Sequence, residues 1–201
     1  YTCFGSSNEI RTNPVPAGKW DLSWIERVSR KHRAVFDSPE FSGGAGLIRA
    51  LNWKTEYREV YGTPPEDMSA ILVMRGEAVW LAMNDEFWKT YKVGEENAFK
   101  VRATGKFREL NPIANAAADA KPAEAERTLP KFIAAGNIAL ACHRAFGAVA
   151  GLVKKVDKLA TDDEAEAKAR TFLLPGVILQ PSGVFATLRA QEAGCHYILA
   201  S

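Results

Sequence analysis

The chain has 201 residues, of which 47% are hydrophobic and 25% charged, and its formal net charge is +2. This composition is that of one ordinary globular domain, which excludes a disordered, a collagen-like and a disulfide-dense protein. The balanced charge argues against a nucleic acid as partner, and no apolar run reaches the about 20 residues that span a bilayer.

The chain is predicted to open with an arm and a short helix, residues 1–31. The first 19 residues are polar and contain several glycines and prolines, which favour an extended arm. Apolar residues in Trp20–Lys31 recur at helical spacing, and Asp21 or Ser23 is placed to cap a short helix. We expect one folded domain to occupy residues 32–201.

From His32 onward, short apolar runs alternate with helical patterns. The runs that predict strands, one of them with its turn, are His32–Ser38, Met68–Gly76, Asn137–Cys142, Val177–Gly183 and Cys195–Ala200. The segments that predict helices are Leu47–Val60, Glu77–Tyr91, Thr128–Asn137, Phe146–Leu159, Thr161–Phe172 and Val184–Ala193. The alternation predicts a single three-layer α/β domain with about five mostly parallel strands and helices on both faces of the sheet.

Residues from about 93 to 128 do not fit this alternation. The segment contains Gly94, Gly105, Pro112 and Pro122, together with an alanine-rich stretch. We interpret it as a long insertion with little regular structure. Loops of this length inside compact domains are uncommon and usually serve a function.

The three cysteines are Cys3, Cys142 and Cys195. Their odd number leaves at least one thiol free or paired with another chain. Cys3 and Cys195 lie near opposite ends of the chain, so a disulfide between them and two unpaired thiols are both open alternatives. The chain starts without methionine, which fits the mature form of an exported, periplasmic protein as well as a trimmed cytoplasmic one.

The common motifs for cofactors and metals are missing from the sequence. It contains no CxxC, HExxH or spaced Cys/His cluster, and no GxGxxG, GxxxxGK[ST] or GxSxG. We therefore predict no metal and no cofactor. The glycine-rich run 43–46 resembles a phosphate-binding turn at a helix start, although ordinary turn chemistry explains it as well.

Candidate site residues follow the predicted strands, because ligands of parallel sheets bind beyond the carboxyl ends of the strands. Cys142 is the one conventional nucleophile among them, and the following helix start, with His143 and Arg144, would favour its thiolate. The alternative is a buried cysteine of the core. His143 is either a base or an ordinary surface or capping histidine.

The other candidates are binding residues at the ends of two more strands. Arg75 and Gly76 follow the second predicted strand, and Ser182 and Gly183 follow the fourth. Arg75 is placed to hold an anion at this edge of the sheet, or to form a structural salt bridge. An anion or nucleotide site would combine Arg75 with the glycines 43–46 and the basic stretch 27–33.

Five segments in the order HRAVFDS, LNW, AILVMRGEAVWLAM, IAAGNIALACHRAFG and PGVILQPSGVFATLRAQEAGCHYI carry a resemblance to a known family. Over residues 32–199 the chain resembles the DsrE/DsrF-like (YchN-like) proteins, small α/β domains linked to sulfur oxidation and sulfur relay. The last segment is the most specific: a strand, P-S-G, an apolar helix with R-x-Q-E-x-G, and a closing strand.

The resemblance implies a DsrE-like, flavodoxin-like topology and a sulfur-carrying cysteine at the position of Cys142. It also implies a homo-oligomer, either a trimer or a hexamer. Arg75, where many relatives have histidine, and the insertion indicate a divergent, exported branch.

Two functions follow from these observations. The first is a DsrE-like protein that binds or carries sulfane sulfur as a persulfide on Cys142. The alternative is a non-catalytic oligomeric binding or assembly module, which would capture a protein partner and keep the fold without the chemistry. Whether the protein is an enzyme stays open.

Overall fold

The computed structural model describes residues 20–116 and 120–201 and contains a single sheet of five parallel strands. The strands are β1 (His32–Ser38), β2 (Met68–Met74), β3 (Ile138–Cys142), β4 (Val177–Gln180) and β5 (His196–Leu199). The predicted α/β class with five parallel strands is confirmed, and β1 has the bounds expected from its apolar run.

Helices and short 3-10 turns connect the strands. The α-helices are α1 (Ala45–Tyr61), α2 (Asp85–Thr90), α3 (Val93–Glu96), α4 (Pro122–Ala125), α5 (Leu129–Ala134), α6 (His143–Asp157), α7 (Asp162–Arg170) and α8 (Gly183–Glu192). The 3-10 helices are Ser23–Arg27, Ser42–Gly44, Pro65–Asp67 and Gly76–Ala82. Within the described residues, no helix is long and apolar enough to cross a membrane.

Both faces of the sheet are covered, which explains the nearly continuous apolar runs of its central strands. On one face, the alternate side chains Phe36 and Leu72 pack in a cluster with residues of α1 and α6. On the other face, Val35 and Val73 pack with α8 and with Trp24 of the first 3-10 helix. The two clusters are the two apolar interfaces of a three-layer domain.

The strand order is β4-β3-β2-β1-β5. This order corrects the expected flavodoxin-like topology, in which the order is 2-1-3-4-5 and the chain reverses direction across the sheet early. Here the chain moves steadily outward from β1 to β4 and then returns through α8 to pair β5 with β1. Because parallel crossovers are right-handed, this return places α8 on the face opposite to α1 and α6.

The predicted helix Glu77–Tyr91 is wrong as a single element. The structure divides it into the 3-10 helix Gly76–Ala82 and α2, with an extended break at Met83 and Asn84. Met83 forms a β-bridge with Leu173, which stretches the backbone there. The Asn84 side chain then accepts the Phe87 N–H at 2.9 Å and starts a new helix.

The insertion has little regular structure where it is described. It contains the one-turn helices α3 and α4 and a β-bridge between Lys100 and Phe107. Buried Asn111 attaches it to the domain, because its side-chain nitrogen donates to the carbonyls of Leu81 and Met83 at 2.9 and 2.6 Å. This segment is therefore docked on the domain at Asn111.

The arm is only partly described. Residues 1–19 lie outside the described residues, and Cys3 is among them, so its disulfide with Cys195 stays a prediction. The short helix expected after the arm is the 3-10 helix Ser23–Arg27, and the Asp21 carboxylate accepts the Ser23 N–H at 2.9 Å. This hydrogen bond and that from the Ser23 hydroxyl lower the pKa of Asp21.

Candidate functional site

Cys142 is the last residue of β3 and also the N-cap of α6. Its Sγ accepts a hydrogen bond from the backbone N–H of Ala145 at 3.4 Å, because the first N–H groups of a helix have no partner within the helix. The residue is 6% exposed. The sulfur thus lies at the positive end of a 15-residue helix, where negative charge is stabilised.

The strand order places Cys142 at the junction of β3 and β4, where the topology favours a ligand site. Helix α6, which follows β3, packs on one face of the sheet, and α8, which follows the adjacent β4, packs on the other. Such a divergence between neighbouring strands is where open α/β sheets bind ligands. Cys142 pairs there with Gln180, the last residue of β4.

Gln180 is fully buried and leaves one side-chain atom without a partner. Its Nε2 donates to the carbonyl of Asp21 at 2.7 Å, whereas its Oε1 has no hydrogen-bond partner among the described residues. An unpaired buried acceptor costs free energy, so it is a feature of binding sites as well as of strained cores. Because Gln180 lies beside Cys142 and bonds to Asp21, and Trp20 packs on His143, the start of the described chain crosses the edge of the sheet beside Cys142.

The His143 side chain pairs with a carboxylate and packs on an aromatic ring. Its Nε2 lies 3.0 Å from Oε1 of Glu166, and its ring meets Trp20 edge-on, with 5.0 Å between the ring centroids. Burial raises the pKa of Glu166, but hydrogen bonds from Arg170 and His143 outweigh it and leave this pKa below its usual value. Sequence reasoning did not identify Glu166 as the partner, because it lies 23 residues along the chain on α7.

Arg75 forms the salt bridge that was one of its two predicted roles. Its Nε and Nη2 donate to the two carboxylate oxygens of Asp37, at 2.7 and 2.9 Å, and the Tyr197 hydroxyl donates to the same carboxylate at 2.7 Å. Arg75 and Tyr197 each have a raised pKa, because each forms its own hydrogen bond with the Asp37 carboxylate. The structure thus brings β1, β2 and β5 together at the carboxyl edge, on the face covered by α8.

Gly183 lies next to Arg75, and Ser182 precedes it at the start of α8. A methyl group on Gly183 would lie 2.5 Å from Cδ of Arg75, so glycine allows the arginine stem to pass the start of α8. Ser182 caps that helix, because its Oγ accepts the Phe185 N–H at 3.1 Å. Gly76 has a φ of 51°, and a methyl group there would lie 2.5 Å from the Pro39 carbonyl oxygen.

The structure does not assemble the predicted anion site from residues 43–46, Arg75 and the basic stretch. Gly44 packs so closely on the insertion that a methyl group would lie 2.3 Å from Cγ2 of Ile113. The arginines of the basic stretch donate instead to backbone carbonyls: Arg27 to Asn137, Arg30 to Pro65 and Met68, and Arg33 to Ala193. The glycines thus form a closely packed turn, and the three arginines link distant segments of the backbone.

Cys195 is the other described cysteine and has a different environment. It precedes β5, is 7% exposed and belongs to the cluster under α8. Burial raises the pKa of its thiol to about 11. Cys195 is therefore the internal comparison for the reactivity of Cys142.

No group of three or more His, Cys, Asp or Glu residues in the described part of the chain is arranged to hold a metal ion. Neither a model of a known protein family nor a curated protein matches the chain. The function must therefore be argued from the geometry of the site.

Proposed function

We propose that the protein accepts sulfane sulfur on Cys142 and passes it on to another thiol. One observation carries the proposal: Cys142, which is 6% exposed, caps α6 at the carboxyl ends of β3 and β4, where the helices that follow these strands pack on opposite faces of the sheet. The resemblance to DsrE-like proteins supports the same residue.

The reaction needs no oxidant and no cofactor. The Cys142 thiolate attacks the outer sulfur of a donor persulfide, R–S–SH, and a new S–S bond forms as the donor S–S bond breaks. The donor leaves as the thiolate R–S⁻, and Cys142 becomes Cys–S–SH. In the second step an acceptor thiolate attacks this outer sulfur, and the Cys142 thiolate is the leaving group.

The start of α6 supports negative charge on the sulfur, and the Arg75–Asp37 ion pair lies at the end of the strand beside β3. The Ala145 N–H and the start of α6 favour negative charge on Sγ. Arg75 follows the end of the neighbouring strand, and Asp37 holds its guanidinium in one orientation while about a third of the side chain, 34%, stays exposed. The transfer as written needs no proton acceptor at His143, because the attacking group is already a thiolate.

A single-cysteine variant tests the proposal. Cys3→Ser/Cys195→Ser leaves Cys142 as the one thiol, and we expect incubation with glutathione persulfide to add about 32 Da, the mass of one sulfur atom, to the intact protein. Dithiothreitol should remove the added sulfur. The measurement is intact-mass spectrometry over time.

The matched control keeps the other described thiol. Cys3→Ser/Cys142→Ser retains Cys195, whose raised pKa leaves little thiolate at neutral pH, so we expect at least about tenfold slower loading. Equal loading of the two variants, or no adduct on the Cys142 variant, would contradict a sulfur carrier at Cys142. Trp20→Ala, which removes part of the cover at the sheet edge, should speed the loading.

We further propose that copies of the chain associate through an apolar surface on α8 and β5. Val184 and Leu188 on α8, and Tyr197 and Leu199 on β5, are between 44% and 61% exposed. β5 is an edge strand, and its odd-numbered side chains share the face of α8. Exposed apolar groups of this kind mark association surfaces, and a trimer or hexamer is what the resemblance implies.

The mass in solution tests this assembly. We expect the wild-type chain to elute as an oligomer in size-exclusion chromatography with light scattering, and Val184→Glu to shift it toward the monomer. Glutamate is tolerated in the first turn of a helix, so the variant should fold. Val156→Glu, at an exposed valine of α6, is the matched control. A monomeric wild type, or equal masses for the two variants, would exclude this surface.

A further inference from the structure

The insertion and α2 enclose a basic cleft of about 560 Å³. Its cationic side chains are Lys89, Lys92, Lys100, Lys106 and Arg108, and its carboxylates are Glu95 and Glu109. The cleft lies outside the site of Cys142. Most of its lining belongs to the insertion, for which the sequence predicted little regular structure. Its volume is in the range of small-molecule sites.

Most of these cations lack an anionic partner. Within residues 20–116 and 120–201, the one ion pair that they form is that of Lys92 with Glu95, at 3.7 Å. Lys100 is directed at the ring of Phe107 instead, with 5.3 Å from Nζ to the centroid. Cations gathered without partners repel one another, and an anion in the cleft would relieve this repulsion.

Arg108 is the most constrained of the cations. Its Nε is buried and has no hydrogen-bond partner among the described residues, and its guanidinium lies over the ring of Phe41 at 5.9 Å. Burial lowers the pKa of this guanidinium. Burying part of an arginine with an unsatisfied donor costs free energy unless an anion accepts its hydrogen bonds.

The backbone holds Arg108 in place. Its N–H donates to the Phe99 carbonyl at 2.9 Å, and the Lys100–Phe107 bridge closes the turn before it. On its other side Gly94 approaches so closely that a methyl group would lie 2.0 Å from the Arg108 carbonyl oxygen. The guanidinium is therefore attached to a fixed backbone, as a binding residue requires.

We propose that this cleft binds the oligophosphate group of a small molecule. Several lysines around one arginine match the several charges of such a group, and arginine recognises phosphate oxygens through paired N–H groups. Phe107 is 45% exposed at the wall of the cleft and offers a surface for a planar group next to the phosphates. The site is independent of sulfur chemistry at Cys142.

Calorimetric titration of the whole protein with inorganic tripolyphosphate and with ATP tests the proposal. We expect both to bind at low ionic strength and to bind more weakly as potassium chloride is added. Arg108→Gln should weaken tripolyphosphate binding at least tenfold, since hydrogen bonds to charged groups are strong, and Lys106→Gln about threefold. Because its Nε is unsatisfied, Arg108 should be replaceable without unfolding the protein.

Lys31→Gln is the matched control, because Lys31 is exposed and lies outside the cleft, so it removes the same charge elsewhere. We expect it to bind as the wild type does. If ATP binds more tightly than tripolyphosphate and Phe107→Ala removes the difference, the ligand is a phosphate ester with a planar group. Equal affinities for ATP and tripolyphosphate would support the oligophosphate group itself. Absence of binding, or equal affinity of Arg108→Gln and Lys31→Gln, would overturn the proposal.

Discussion

Replacing Arg75 with methionine is expected to lower the free energy of unfolding by about 3 kcal/mol. The Asp37 side chain is 3% exposed, and without the guanidinium the Tyr197 hydroxyl would be the one partner left for its charge among residues 20–116 and 120–201. Breaking a buried pair by removing one partner costs about 3–5 kcal/mol, and the 34% exposure of the Arg75 side chain places the effect at the low end. Methionine keeps the stem that passes Gly183. Urea denaturation measures the change.

A double-mutant cycle separates the ion pair from the packing. Asp37→Asn removes the charge that would be stranded, so the double variant should be more stable than the sum of the single effects predicts, by at least about 1 kcal/mol. Arg49→Met is the matched control at an exposed arginine of α1, with an expected effect within about 0.5 kcal/mol. If Arg75→Met is no more destabilising than Arg49→Met, the pair does not stabilise this edge of the sheet.

Replacing Gly94 with alanine is expected to destabilise the protein by about 3 kcal/mol and to abolish tripolyphosphate binding. The new methyl group would lie 2.0 Å from the carbonyl oxygen of Arg108 and 2.8 Å from its backbone nitrogen and carbonyl carbon. The clashing atoms belong to the backbone, so α3 and the segment that contains Arg108 must separate. Separation displaces Arg108, a residue that lines the cleft. Urea denaturation and calorimetry measure the two effects.

Gly151→Ala is the control for this change. Gly151 lies in α6, and a methyl group there would meet no atom within 4 Å. Since alanine favours helix, we expect this variant to gain about 0.5–1 kcal/mol in stability and to bind tripolyphosphate normally. A Gly94→Ala variant with normal stability and normal binding would contradict the close packing of the insertion on which the cleft depends.

Local pattern identified the strands and the longer helices. The bounds of β1 could be predicted from its apolar run, which ends at Asp37 and Ser38, because a strand covered on both faces is nearly continuously apolar. The single predicted helix Glu77–Tyr91 failed for a nonlocal reason. Met83 pairs with Leu173, about ninety positions along the chain, and no helical periodicity in the segment reports that contact.

The candidate site was predictable in part. Cys142 was identified because a thiol at a strand end stands out among apolar neighbours, and Arg75, Ser182 and Gly183 because they follow strands of one parallel sheet. The partners were not predictable. Asp37 lies at the end of the first predicted strand and Tyr197 in the last one, and their pairing requires β5 to return beside β1.

The basic cleft was missed, although its signal was in the sequence. Lysines and arginines are frequent in residues 89–108, with aromatic residues among them, but Lys89 was assigned to the predicted helix Glu77–Tyr91 and the residues from about 93 onward to an irregular insertion. A charge-pattern scan restricted to that segment would have marked it as a candidate. Which of those cations face one cleft depends on the Lys100–Phe107 bridge and on the approach of Gly94 to Arg108.

The sequence by itself determined the elements, their parallel α/β class and the placement of a thiol at the start of a helix. These features depend on interactions within a few residues, namely periodicity, turn residues and helix capping. Only the tertiary structure decided the strand order, the divergence of α6 and α8 between β3 and β4, the pairing of Asp37 with Arg75 and Tyr197, and the basic cleft. They depend on contacts between distant segments, whose choice is governed by the packing of the whole domain.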